Sequence, residues 1–315
     1  MGSMDQTIAV RPLNGAAKRR RSFKWWWNRY GIGYSFLAPF LIFLFVFTVL
    51  PVLIAMGMSL TYDNLLQPST FVGLQNFKKL LMDDDVFLLS LKNTFLFAGI
   101  VGPIGFIASF LFAWILNGIK HNNLFALAFY APSLTSSIAM SQVWLWFFAG
   151  DKYGLINHTL LNMGIITEPI LWNKDGNFIL PTVIIISIWM SMGTGFLVFM
   201  AGLKSVPRSL YEAASIDGMR YKWEELWYIT LPVMKPQLLF AAINSITTSF
   251  AVFETATAVA GMPSPNYAAH TIVAHLYDHA FLRFEMGYAS AVAVVLFLIT
   301  FAFGRIAMRI FKSDE

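Results

Sequence analysis

Tyr211-Glu212-Ala213-Ala214-Ser215-Ile216-Asp217-Gly218, with the Leu231-Pro232 that follows, decides how this chain is read. The stretch is the only long polar one that lies between two apolar segments and is also rich in basic charge. Glu212-Ala213-Ala214 reads as a helical turn with a small surface. Gly218 ends or bends that helix, because glycine alone reaches positive φ cheaply. A second amphipathic run, Tyr221 to Ile229, leads to Leu231-Pro232, whose proline cannot continue a helix. The spacing predicts two short helices meeting at a sharp corner with small residues, a shape that fits a cleft in another protein. An ordinary loop between two helices fits the same pattern about as well.

Outward from this stretch the chain turns apolar. Hydrophobic residues make up 57% and charged residues 12%, where a soluble domain carries roughly a quarter charged. Apolar runs of about 20 residues with few or no charges, enough to cross a bilayer, fall near 34–60, 93–117, 124–148, 179–202, 237–260 and 288–311. The expected fold is an all-α integral membrane bundle of six transmembrane helices. Of the 22 Lys and Arg, 16 fall in one set of alternate compartments and 6 in the other. Positive charge accumulates on the cytoplasmic side, so both termini and the 203–236 loop are expected there. Met1-Gly2-Ser3-Met4 reads as a cloning remnant, and residues 1–30 as a basic cytoplasmic tail ending in Trp25-Trp26-Trp27, suited to the headgroup layer. Arg20-Arg21-Ser22-Phe23-Lys24 resembles a twin-arginine export signal, but the apolar run after it is too long and lacks a cleavage site. Cysteine is absent, which excludes disulfides and thiolate metal sites.

Glu212-Ala213-Ala214, Asp217-Gly218 and Leu231-Pro232, led in by Leu203-Lys204-Ser205-Val206-Pro207, resemble the EAA loop of membrane subunits of ATP-binding-cassette importers, in the sugar-permease, maltose-type branch. Gly73-Leu74-Gln75-Asn76-Phe77, Asn93-Thr94, Tyr153-Gly154-Leu155-Ile156-Asn157 and Gly287-Tyr288-Ala289-Ser290-Ala291 resemble stretches at matching places in that family. Gly261-Met262-Pro263 departs from its usual Gly-Gly-Pro. The resemblance covers most of residues 31–315 and implies a compact six-span permease domain in a bacterial inner membrane, without the extra N-terminal spans of the maltose-type relative. It implies coupling helices at 203–236, with Glu212, Ala213, Ala214, Asp217 and Gly218 docking into an ATPase. The implied partners are a second permease, two ATPase subunits that hold ATP and magnesium, and an extracytoplasmic solute-binding protein. No cofactor is expected in this chain.

The chemistry of catalysis is missing. No Gly-x-x-x-x-Gly-Lys-Ser/Thr loop, His-Glu-x-x-His motif or nucleophile elbow occurs, and no paired carboxylates lie within the spans. A membrane-embedded enzyme is therefore disfavoured, as is a secondary transporter, for want of ion-coupling carboxylates or a clear inverted repeat. His275 and His279, with His270 nearby, have a spacing that suits zinc, but no carboxylate is clearly placed beside them and no metal is expected. Polar residues do gather at span midplanes: Ser133, Thr135, Ser136 and Ser137 after Pro132; Ser187, Trp189, Ser191 and Thr194; and Asn244, Ser245, Thr247, Thr248 and Ser249. Polar side chains at that depth face a wet cavity or a neighbouring helix. A carbohydrate needs such hydroxyl and amide partners together with an aromatic platform. By the resemblance, Trp189, Pro132-Ser133 and Ser249 fall where the maltose-type permease meets its sugar, with Phe253 one turn further out. Glu254, the sole acidic residue within a span, is expected to line the outer cavity. The expected cargo is an oligosaccharide. The alternative is the same machine for glycerol phosphate or a uronide oligomer such as alginate or pectin fragments.

Overall fold

The structure, a computed structural model, describes residues 23–119, 127, 130, 131 and 133–311. The basic tail through Ser22, Pro132 and the last four residues lie outside the described residues. The chain divides into two compact units, residues 1–53 and 54–315. In the first, α1 (Phe23–Leu44) runs through a wide π-type turn at Phe45–Val49 into α2 (Leu50–Met58). The wide turn stands just ahead of Leu50-Pro51. A proline ring clashes with the carbonyl four residues back, and widening the turn moves that carbonyl away.

In the second unit, β1 (Thr61–Tyr62) pairs antiparallel with β2 (Thr70–Phe71). There follow α3 (Asp85–Asn117), α4 (Ser137–Phe147), α5 (Leu155–Asn162) and α6 (Gly176–Ser205). The polar loop holds α7 (Arg208–Ile216) and α8 (Lys222–Glu225). Then come α9 (Lys235–Phe250), α10 (Glu254–Ala260), α11 (Ile272–Tyr277) and α12 (Met286–Ile310).

Among the described residues, five helical runs are long and apolar enough to cross a membrane: Gly31–Met58, Asp85–Asn117, Gly176–Ser205, Lys235–Ala260 and Met286–Ile310. The expectation of six is corrected to five. The third expected span, 124–148, is not one helix: Ser136 is extended (φ −54°, ψ 133°), and only the 11 residues of α4 follow it. At 1.5 Å per residue that is about 16 Å, half of a hydrocarbon core of about 30 Å. The helical run stops after Leu134, where Ser133 and Thr135 bond carbonyls three and four residues back, a competition with the backbone ladder that weakens a helix end. Ser133 Oγ donates to the Tyr130 carbonyl and Thr135 Oγ1 to that of Ala131.

Small residues let the long helices approach. Ser109 Oγ on α3 donates to Gly105 O (2.7 Å) and, across the interface, to Met192 O of α6 (3.2 Å). Three apolar clusters follow the bundle. Phe110, Phe196, Phe199 and Met234 pack beneath the polar loop, Phe97, Ile179, Val183 and Val259 form a second, and Leu80, Phe87, Ile272 and Val292 a third. Three buried asparagines staple the loops by satisfying backbone groups that have no ladder partner. Asn76 donates to Ser59 O and Thr61 O, and Asn93 to Tyr267 O and His270 O. Asn157 donates to Ala149 O, Asp151 O and Ile170 O, and accepts from Trp172 Nε1.

Candidate functional site

A cavity of about 480 Å³ opens between α3, α6, α9 and α10, and Ser133, Asn244, Ser249, Phe253 and Glu254 all line it. Its wall adds Ser187, Ser191 and Thr194 from α6 and Ser245, Thr248 and Thr255 from the α9–α10 side. Ser245 Oγ donates to the Gly102 carbonyl of α3 (3.0 Å), closing that side. Ser187 Oγ is buried and bonds no group among the described residues. Among the described residues the lining holds no cation and one carboxylate, Glu254. Hydroxyl and amide groups stand here over aromatic and aliphatic walls, offering hydrogen-bond partners to a polar solute.

The cavity exists because the helical run breaks beside it. α9 ends at Phe250, Phe253 leaves helical geometry (φ −140°, ψ −62°), and α10 starts at Glu254. The break frees the Val252 carbonyl, which accepts a hydrogen bond from Thr271 Oγ1 at 2.9 Å. Unwound backbone at membrane depth is tolerated where it is buried in protein or faces a cavity. Phe253 stacks on Tyr277, and Tyr277 on Phe281, with ring centroids 5.0 and 4.9 Å apart.

Trp189 stands apart from its expected partners. It is half-buried, absent from the cavity lining, and packed edge-to-face on Trp144 of α4 at 5.3 Å. Trp144, unremarked in the sequence, shows no helical spacing to Trp189, so only the fold pairs them. Gly105, Ser109, Met190 and Thr255 also line the cavity without a sequence signal that separates them from packing residues.

In the polar loop, α7 carries Glu212, Ala213 and Ala214, and Gly218 follows it with φ +94°. Met219 N bonds Ala214 O at 3.0 Å across that turn, closing the helix end. Glu212, Ala213, Asp217 and Gly218 are exposed, whereas Ala214 is buried against the cluster of Leu203, Val206, Leu226 and Met234. Tyr211 Oη lies 2.9 Å from Thr230 Oγ1, tying α7 to the second helix. Glu224 Oε2 accepts from the Arg220 and Tyr221 amides and caps α8. The expected stop at Leu231-Pro232 comes later. A wide turn at Leu226–Thr230 accommodates Pro232 as at Pro51, and the helix breaks at Met234 (φ −85°, ψ 5°). Exposed Ile216, Trp223, Trp227 and Tyr228 give this loop an apolar surface beside its charges.

A second polar cluster forms where α3 begins. Asp84 caps α3, accepting from Phe87 N at 2.8 Å, and its Oδ2 accepts from Tyr288 Oη at 2.6 Å. His275 Nε2 stands 3.3 Å from the same oxygen, and His279 Nδ1 stands 2.8 Å from Glu285 Oε2. Burial raises the Asp84 carboxyl, but the Tyr288 hydroxyl, the Phe87 amide and the two histidines bring it below its ordinary value. Burial and then His279 hold His275 down at about 4, so its imidazole is neutral at physiological pH.

No protein-family model matches the chain. It is 34% identical over 287 residues, 90% of each chain, to the probable ABC transporter permease protein YesP of Bacillus subtilis (strain 168). Over 311 residues it is 30% identical to the arabinooligosaccharides transport system permease protein AraP of the same organism, covering 98% of this chain and 97% of that one. Its fold matches that of a bacterial ABC transporter involved in the import of the acidic polysaccharide alginate, with a TM-score of 0.74 at 23% identity, over 91% of this chain and 98% of that one. With those likenesses and a bundle built around a cavity, the chain belongs to the permease subunits of ATP-binding-cassette transporters.

Proposed function

We propose that this permease forms the membrane path of a binding-protein-dependent importer for a polyhydroxylated solute of the carbohydrate class, with a neutral oligosaccharide as its cargo. The observation that carries this reading is the cavity: hydroxyls from five helices, the Asn244 amide, a Ser187 hydroxyl without a partner among the described residues, the Phe253 ring, and no cation among the described lining residues. The names of AraP and of the lactose transport system permease protein LacF of Rhizobium radiobacter, 32% identical over 272 residues, support the same class. A second reading, an acidic solute such as a uronide oligomer or glycerol phosphate, draws on the fold shared with the alginate transporter. It draws also on 30% identity over 272 residues with the sn-glycerol-3-phosphate permease UgpA of Agrobacterium fabrum.

Energy enters through the polar loop. Glu212, Ala213, Asp217 and Gly218 present the docking face to an ATPase partner, and Ala214 holds that face onto the bundle. The loop and both termini face the cytoplasm, where their basic charge places them. A second permease completes the path, two ATPase subunits hold ATP and magnesium, and a solute-binding protein delivers cargo from outside. The test is uptake by the assembly reconstituted in vesicles, with neutral and acidic oligosaccharides offered at equal length. Ser249→Leu fills the cavity and is expected to cut uptake by about tenfold or more while ATPase subunits still co-purify. Unchanged uptake would place the solute path elsewhere.

A further inference from the structure

Asp84 meets a pair of histidines four residues apart, His275 and His279, at the start of α3. Asp84 from the loop before α3, His275 from α11 and His279 from the wide turn at Asp278–Leu282 each offer a ligand atom, all within 4.8 Å of one another. We propose that Asp84, His275 and His279 form a binding site for one divalent cation of the zinc class, clamping the start of α3 to the α11 segment.

The donor set fits that class. Two imidazoles and a carboxylate match the nitrogen and oxygen donors of zinc sites, where ligand atoms about 2.0–2.1 Å from a tetrahedral ion stand about 3.3 Å apart. Asp84 Oδ2 and His275 Nε2 are already at 3.3 Å. A modest inward swing of His279 completes the set, and the i, i+4 spacing already holds the two rings side by side, with centroids 4.5 Å apart.

The surroundings hold the donors in the required state. With His279 Nδ1 donating to Glu285, the ring's lone pair sits on Nε2, the carboxylate–histidine arrangement that orients metal-bound imidazoles. Tyr288 Oη bonds Asp84 Oδ2 and fixes that carboxylate, leaving a second lone pair on the same oxygen. His275 Nε2 faces Asp84 Oδ2 at 3.3 Å and carries the ring's proton toward that carboxylate, while its buried Nδ1 has no partner among the described residues; an ion taking the place of that proton would shift it to Nδ1. Lys79 lies 3.6 Å from Glu285 and offsets one of the two carboxylates, and Arg283 is paired with Asp278 at 2.7 Å. The remaining negative charge, flanked by Asp83 and Asp85, favours a dication. Both histidines are nearly fully buried, which keeps water from competing for the first ligand positions.

The experiment uses the full chain, purified without a histidine tag, stripped with chelator and titrated with zinc chloride by calorimetry. One zinc ion per chain is expected, together with a rise in the thermal unfolding midpoint. His279→Ala and His275→Ala are expected to lose both effects, while His158→Ala, on an exposed helix face, keeps them. Cobalt(II) provides a readout on the wild-type chain that does not depend on the variants folding. The intense visible bands of a tetrahedral site, quenched by added zinc, are expected. A weak octahedral spectrum, zinc binding retained in folded His275→Ala or His279→Ala, or binding lost in His158→Ala would overturn the assignment.

Discussion

Glu254 is the single carboxylate of the cavity wall, it is exposed, and it makes no ion pair among the described residues. A carboxylate in such a place costs desolvation unless it meets water or a ligand, so its role is tested by cargo rather than by stability. For a neutral oligosaccharide, Glu254→Gln keeps an acceptor and is expected to raise KM several-fold without changing the thermal midpoint. For an acidic cargo the same change removes a repulsion, and uptake of a uronide oligomer rises instead. Vesicle uptake of the two cargoes separates the outcomes. The polar residues of this site were legible in sequence because hydroxyls and amides are conspicuous in an apolar run. Trp189 was not, because whether an indole faces a cavity or a neighbouring ring depends on packing: here it meets Trp144. Trp189→Phe, which keeps the edge-to-face contact, is expected to support uptake close to the wild-type rate, and Trp189→Ala to lower it by loosening the α4–α6 contact. Equal loss in both variants would mean that the indole itself meets the cargo.

The helices show what periodicity and hydropathy read well and what they miss. Long apolar runs fix α6 and α12 within about three residues at each end, and the end of α3 but not its start, which lies at Asp85 rather than near 93. Breaks are harder to see, because a window average treats Ala251-Val252-Phe253 as more of the same apolar run. The unwinding there depends on Thr271, 19 positions away, to satisfy a freed carbonyl. The six-span count failed over 124–148 for the same reason: apolar flanks outweighed Ser133-Leu134-Thr135-Ser136 in the average, yet the bonds of Ser133 and Thr135 to the backbone weaken the helix there. Close contacts between elements were also invisible. Gly287, at the start of α12, donates from its amide to Asp63 O at 3.2 Å, and a Cβ there would collide with the Thr61 carbonyl of β1. Backbone cannot swing aside as a side-chain tip can, so Gly287→Ala is expected to cost about 1–3 kcal/mol. Gly99 on α3 has open space around it, and Gly99→Ala is expected to be neutral or to stabilise by up to about 1 kcal/mol. Thermal unfolding of the two purified variants checks the pair, and equal midpoints would contradict the packing argument.

For the whole molecule the decisive question is how a chain with a cavity and no phosphate-binding loop is driven. Its polar loop is held to the bundle on one side and exposed on the other. Tyr211 and Ala214 anchor it to the bundle, Gly218 turns it at φ +94°, and its outer surface pairs acidic Glu212 and Asp217 with an apolar face on which Ile216 is 86% exposed. Under the docking proposed above, the contact between Tyr211 and Thr230 links the loop to the helix that leads to α9. The helix end at Gly218 was legible, because a glycine after small residues is a backbone signal that depends little on tertiary context. In the cluster of Asp84, His275 and His279 the spacing of the two histidines was legible, but the carboxylate was not, since Asp84 lies about 190 residues earlier and only the fold joins it to them. The measurement that bears most directly on the coupling role is solute uptake driven by ATP in vesicles carrying the assembly with Glu212→Lys. Glu212 is exposed, so the change leaves the bundle folded while reversing the charge of the docking face. The expected result is a loss of uptake of about tenfold or more, equivalent to at least about 1.4 kcal/mol of lost coupling, with the thermal midpoint of the permease unchanged. Wild-type uptake, with the ATPase subunits still bound and stimulated by the binding protein, would contradict the placement of the coupling element in this loop.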